Sequence, residues 1–190
     1  MRLFFALDIE APIRRKLNEY VDSLRRVPGV RFMPAESYHV TLKFLGEVKD
    51  VEPVKEAAAR VQAARFELSF REVGFFPNAR APRVFWAGIH ADERLSELAS
   101  KLDESLSAAG FAREERPFRP HLTLARSGSG DPRPRRDEQP VAGFRALVYV
   151  VEKNPRPEFG TMTASEFFLY ESKLLPRGAQ YTKVARYPLT

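Results

Sequence analysis

The 190-residue sequence has no cysteine. No disulfide can staple the chain and no thiolate can act as nucleophile or metal ligand, a usage that fits a cytosolic, reducing compartment. Long apolar runs are missing too. Nowhere do the roughly 20 consecutive apolar residues of a membrane span occur. The opening Met1-Arg2-Leu3-Phe4-Phe5-Ala6-Leu7-Asp8 reaches an acid after a short apolar stretch, with no small-residue cleavage pattern behind it. It reads as a first strand, not a signal peptide. Histidine is scarce at three residues, so any pattern that uses two of them stands out. With 44% hydrophobic and 29% charged residues, the composition excludes disordered and collagenous chains. The expectation is one cytoplasmic globular domain over residues 1–190, monomeric by default.

The charge is lopsided: 31 Lys and Arg oppose 25 Asp and Glu, a net of +6. An excess of this sign suits an anionic partner, nucleic acid being the commonest, although a solvated basic surface accounts for it equally well.

Hydrophobic periodicity divides the chain into alternating elements. Leu3 to Asp8 alternates as a strand, and Ala11 to Val27 carries Ile13, Leu17, Val21 and Leu24 at helical spacing, with Pro12 suited to its first turn. Tyr38 to Leu45 reads as a strand, Val51 to Ala63 as a helix, and Arg65 to Phe76 and Arg83 to Ile89 as strands around a Pro-rich loop. Asp92 to Ala109 is a helix stopped by Gly110, and Arg119 to Arg126 a strand followed by a polar loop, Ser127 to Pro140. Further strands are expected at Phe144 to Val151, Glu166 to Tyr170 and Tyr181 to Arg186.

The two halves repeat. Strand, helix and strand at 3–8, 11–27 and 38–45 return at 83–89, 92–109 and 119–126. The matching strands carry His39-Val40-Thr41-Leu42 and His121-Leu122-Thr123-Leu124, 82 positions apart, and the helix starts at 11 and 92 are 81 apart. Two landmarks that agree to one residue argue for two fused lobes. The predicted fold is α+β: two pseudo-symmetric lobes, each a mainly antiparallel sheet with helices on its outer face, around a central groove.

Residues two apart in a strand share a face, so His39 goes with Thr41 and His121 with Thr123. An approximate two-fold axis then lets both faces line one groove. Two imidazoles beside one phosphodiester can divide acid–base cleavage, one taking a proton from the nucleophile and one giving a proton to the leaving oxygen. The threonine hydroxyls can donate to the phosphate oxygens. Either motif alone would read as a satisfied histidine and a good strand former; the pair in equivalent strands favours chemistry. A metal site is the weaker reading, since neither His-x-Thr brings the Cys or carboxylate that zinc sites usually add; no metal or cofactor is expected. His90 ends its strand without such a motif and reads as a surface residue.

These motifs carry a resemblance. The strings His39-Val-Thr-Leu-Lys-Phe-Leu-Gly46 and Pro120-His-Leu-Thr-Leu-Ala-Arg126, the opening Arg2-Leu-Phe-Phe-Ala6, the strand Arg83-Val-Phe-Trp86 and the segment Leu169-Tyr-Glu-Ser172 resemble the two-histidine phosphoesterases, and within them the RNA 2′,3′-cyclic phosphodiesterases, also called 2′-5′ RNA ligases. The resemblance implies a bilobal fold, metal-independent opening of a terminal 2′,3′-cyclic phosphate on RNA or a cyclic nucleotide to a 2′-phosphate, and a weaker, reversible 2′-5′ joining activity. It also implies His121 as the base that activates water and His39 as the acid; pseudo-symmetry by itself leaves the two interchangeable. A binding module with the same groove and no turnover stays open. At Arg31-Phe32-Met33-Pro34 the family more often has a tryptophan, which touches how that edge of the groove is built.

Neighbours extend the candidate site. Lys43 shares strand parity with His39 and Thr41 and is a candidate substrate-binding residue. Arg126 has the wrong parity and reaches the groove only if its strand ends or bulges; the resemblance supports it as a second substrate-binding residue. Arg133, Arg135 and Arg136 in the following loop could track phosphates, with a solvated loop the plainer account. Among 15 phenylalanines, the pattern selects no base-stacking residue.

Overall fold

The computed structural model describes residues 1–127, 142–154, 156–175 and 178–190. These form β1 (Arg2–Leu7), α1 (Ala11–Leu24), β2 (Arg31–Phe32), β3 (Val40–Glu47), α2 (Glu52–Ala59), β4 (Phe66–Phe76), β5 (Val84–His90), α3 (Glu93–Ala108), β6 (His121–Arg126), α4 (Ala142–Val151), β7 (Glu158–Ala164), β8 (Glu166–Leu175) and β9 (Gly178–Pro188). The fold class is α+β. Helix α1 starts with proline in its first turn, and α3 is capped by Asp92, whose carboxylate accepts from the Arg94 amide.

The strands make two antiparallel sheets, ordered β3-β1-β8-β9 and β2-β6-β5-β4-β7. Motif strand β3 matches β6, and β1 matches β5, so the two orders superpose strand for strand once the short edge strand β2 is set aside. The duplication is therefore built into the topology. The helices are exchanged: α1, from the first repeat, packs on β7 of the second sheet, with Tyr20 edge-on to Phe159 at 5.4 Å, while α3, from the second repeat, packs on β3 of the first. The repeat pattern had implied that each lobe carries its own helices. The exchange locks the lobes together, and the main hydrophobic core runs without a break from Leu3, Phe5 and Leu17 to Phe85, Leu102 and Phe144.

One predicted strand is a helix. Residues 144–151 fold as part of α4, with Phe144, Leu147 and Val151 buried on one side and Tyr149 and Val150 exposed. A short apolar run fits both periods, and here packing decided. Gly143 lets α4 press on the Pro28-Gly29 turn that follows α1, since a Cβ there would sit 2.5 Å from the Pro28 carbonyl oxygen. Strands β2 and β7 were not anticipated. The first comes from the Arg31-Phe32 stretch, which pairs with β6 as the edge strand of the second sheet. Helix α1 stops at Leu24 rather than Val27, and α2 at Ala59 rather than Ala63.

Candidate active site

Strands β3 and β6 approach each other where the two sheets meet. Each carries a bulge at the same place in its motif. Along β3, Thr41 faces Ala6 and Lys43 faces Phe5, so Leu42 is the extra residue; along β6, Thr123 faces Trp86 and Ala125 faces Phe85, so Leu124 is. A bulge reverses side-chain parity beyond it. In β3 it turns Lys43 away from the groove and Phe44 towards it; in β6 it turns Ala125 inward and Arg126 to the groove.

This separates the two predicted substrate-binding residues. Lys43 is not in the groove. It is 6% exposed on the core side, ion-paired with Asp103 of α3 and donating to the Ala112 carbonyl at 2.7 Å. The parity rule misplaced it because one extra residue intervenes. Arg126 is brought to the histidines, and among the described residues it has no carboxylate partner. The loop that holds Arg133, Arg135 and Arg136 lies outside the described residues.

The two imidazoles are held alike. His39 Nδ1 donates to the Ser37 carbonyl at 2.7 Å and His121 Nδ1 to the Arg119 carbonyl at 2.8 Å, each two residues upstream. A carbonyl only accepts, so the proton sits on Nδ1 and each neutral ring presents Nε2 as a base. The Ser37 turn is itself braced: Arg14 donates to the carbonyls of Ala35 at 2.6 Å and Tyr38 at 3.3 Å, and to Asp8 at 2.8 Å. The hydroxyls of Thr41 and Thr123 have no hydrogen-bond partner among the described residues.

Burial sets the proton affinities. It lowers His39 from 6.5 to about 4, the Ser37 carbonyl opposing, with Arg126 and His121 lowering it further and Asp8 raising it. His121 is lowered as well, first by burial and then by Arg126, against the Arg119 carbonyl. One guanidinium thus acts on both rings. Both are neutral at pH 7 in the free protein, and a bound anion favours the charged form and raises them.

Aromatic side chains wall the groove. On the first sheet His39 lies 4.8 Å from Phe4 and edge-on to Tyr181 at 5.1 Å, and Phe4 stacks on Tyr170 at 5.3 Å. With Ala6 and Phe168 these form an apolar cluster separate from the main core. On the second sheet Phe76 is edge-on to His121 at 4.9 Å and next to Trp86. Gly74 makes room for that indole, since a Cβ there would lie 2.4 Å from it. Parity along β1 could have picked Phe4. Tyr170 lay in a segment that carried the resemblance but was given no role, and nothing in the sequence pointed to Tyr181 or Phe76, because their placement depends on which strands pair. His90 is engaged elsewhere, its Nε2 3.4 Å from Glu72. Among the described residues no three His, Asp or Glu side chains gather as metal ligands.

A model of LigT-like phosphoesterases matches residues 7–86 and 89–181, one stretch for each His-x-Thr motif. The chain belongs to the LigT-like phosphoesterase family. An RNA 2′,3′-cyclic phosphodiesterase of Archaeoglobus fulgidus is 34% identical over 183 residues, covering 95% of this chain and 96% of that protein. The Escherichia coli protein of the same name is 30% identical over 193 aligned residues, covering 100% and 97%. Among solved structures, E. coli LigT complexed with 3′-AMP superposes with a TM-score of 0.75 at 27% identity, over 100% of this chain and 98% of that one. A Thermus thermophilus protein, TT0787, superposes with a TM-score of 0.77 at 29% identity, with the same coverage. The bilobal architecture of this LigT-like phosphoesterase is thus shared across its full length.

Proposed function

We propose that this protein is a hydrolase that opens RNA 2′,3′-cyclic phosphate ends to 2′-phosphates without a metal, using His39 and His121 as its acid–base pair. The observation that carries the reading is the matched tethering of the two rings: each Nδ1 is committed to a carbonyl, leaving two Nε2 atoms for proton transfer around one phosphate, beside Arg126. The names of the relatives support the substrate class.

For a 2′-phosphate product the 3′ oxygen leaves, so water attacks in line from the opposite side and the imidazoles flank phosphorus. His121 takes the proton from water; His39 gives one to the leaving oxygen. Thr41 and Thr123 donate to the non-bridging oxygens, and Arg126 offsets their growing charge. The acid must be charged, although burial opposes that. The phosphate supplies the missing field, because its negative charge raises both rings when it binds.

The test is incubation with RNA ending in a 2′,3′-cyclic phosphate in the presence of chelator. Formation of 2′-phosphate ends supports the reading. Binding without product would make the protein a nucleotide-binding module, 2′-5′ joined product would make it a ligase, and dependence on added metal would overturn the two-histidine scheme. Sedimentation at working concentration checks that the active species is a monomer.

A further inference from the structure

The groove is nearly two-fold symmetric, but a nucleotide is not. What breaks the symmetry sets how a substrate lies. The paired bulges aim residues 44 and 126 at the groove as equivalents, and the two differ in kind: Arg126 is cationic, Phe44 aromatic. Phe44 is 48% exposed on a strand whose neighbouring groove-facing side chains, His39 and Thr41, are half-buried. Its cross-strand partner is Phe4, which touches His39. The Arg2 guanidinium lies over its ring, 5.1 Å from the centroid, and among the described residues Arg2 has no carboxylate partner.

A lone exposed apolar side chain needs no explanation, but this one is flat, capped by a cation and continuous with the walls of the groove. At roughly 3.3 Å per strand residue, with Leu42 bulged out, it lies about 7 Å beyond Thr41, next to the space that a terminal nucleotide would fill. An aromatic face with an adjacent guanidinium matches a base and the phosphate attached to it.

We propose that Phe44 and Arg2 form a shelf for the nucleotide that precedes the cyclic-phosphate terminus, so that the substrate is an RNA chain rather than a free cyclic mononucleotide. This rests on the cyclic phosphodiesterase reading of the groove. Phe44 stacks the penultimate base, and Arg2 holds the phosphate between the last two nucleotides. The shelf orients the chain over the first sheet.

The experiment compares kcat/KM for a short oligoribonucleotide ending in a 2′,3′-cyclic phosphate with that for a cyclic mononucleotide. The ratio should fall about tenfold in Phe44→Ala, at the lower end of what one stacked base contributes, and be kept in Phe44→Trp. Arg2→Gln should flatten the salt dependence for the oligonucleotide by about one phosphate contact. An unchanged ratio in Phe44→Ala overturns the shelf. Dissociation constants of a mononucleotide and a dinucleotide with 2′-phosphate ends, measured on the same variants, keep the test independent of turnover. A binding ratio that falls in a protein with no activity sinks the enzymatic reading and leaves the shelf standing; an unchanged binding ratio sinks the shelf.

Discussion

At the scale of single residues, the two histidines are tethered alike, each to its own carbonyl, yet the proposed chemistry asks opposite things of them. Removing a general acid or base typically costs ~10²–10⁴ in rate, so His39→Ala and His121→Ala should each lose at least that, and Thr41→Ala or Thr123→Ala less. A substrate whose leaving group needs no protonation should restore His39→Ala and not His121→Ala; the reverse result exchanges their roles. The pH profile follows from burial. Because His39 sits at about 4 and His121 below 6.5 in the free protein, the form with a charged acid and a neutral base fades as pH rises. kcat/KM should therefore peak below pH 6.5 and fall about tenfold per unit toward alkaline pH, while the kcat profile, which reports the bound state, should lie at higher pH. A kcat/KM flat to pH 8 would contradict the scheme.

Arg14 belongs to the same scale. It touches neither ring but fixes the turn whose Ser37 carbonyl holds His39 Nδ1. Loss of this brace in Arg14→Ala should lower kcat more than it changes KM and move the acid limb of the profile, whereas a purely structural role would leave the limb in place. Lysine cannot reproduce the fork that reaches Asp8 and the carbonyls of Ile9, Ala35 and Tyr38, so Arg14→Lys should restore little.

At the scale of elements, the bulges decide what each motif strand offers. Parity had favoured Lys43 as a substrate ligand and allowed Arg126 only if its strand ended or bulged, with the resemblance in support; a single extra residue in each strand sends the first to α3 and the second to the groove. Removal of one member of a buried ion pair typically costs roughly 3–5 kcal/mol because the other charge stays buried alone. Asp103 would keep Arg113 at 3.8 Å and the Glu114 amide at 3.1 Å, so Lys43→Met should lower the denaturation free energy by less than that, and Lys43→Met with Asp103→Leu should recover part of the loss. KM should change little in either variant. A large KM effect without loss of stability would return Lys43 to the phosphate site.

At the scale of the whole molecule, a buried neutral histidine links stability to pH. Between 6.5 and about 4 the unfolded chain binds a proton at residue 39 that the folded chain refuses. Stability then rises with pH across this window and is lost as pH falls, by up to roughly 3 kcal/mol for a shift of this size. Denaturation midpoints at pH 4.5 and 7 should differ less in His39→Gln than in the parent protein.

The sequence by itself determined the α+β class, the duplication and the pairing of the two His-x-Thr motifs, because period-2 and period-3.6 patterns and an 82-residue repeat are local or self-referential signals that need no partner to be read. Only the tertiary structure decided the exchange of α1 and α3 between the lobes, the helical state of residues 144–151, the departure of Lys43 and the arrival of Arg126, Phe4, Tyr170, Tyr181 and Phe76 around the histidines. All of these depend on how the elements pair and pack. A bulge is a single added residue with no composition of its own, visible only against the strand it pairs with, and it reverses the side chains that directly follow it.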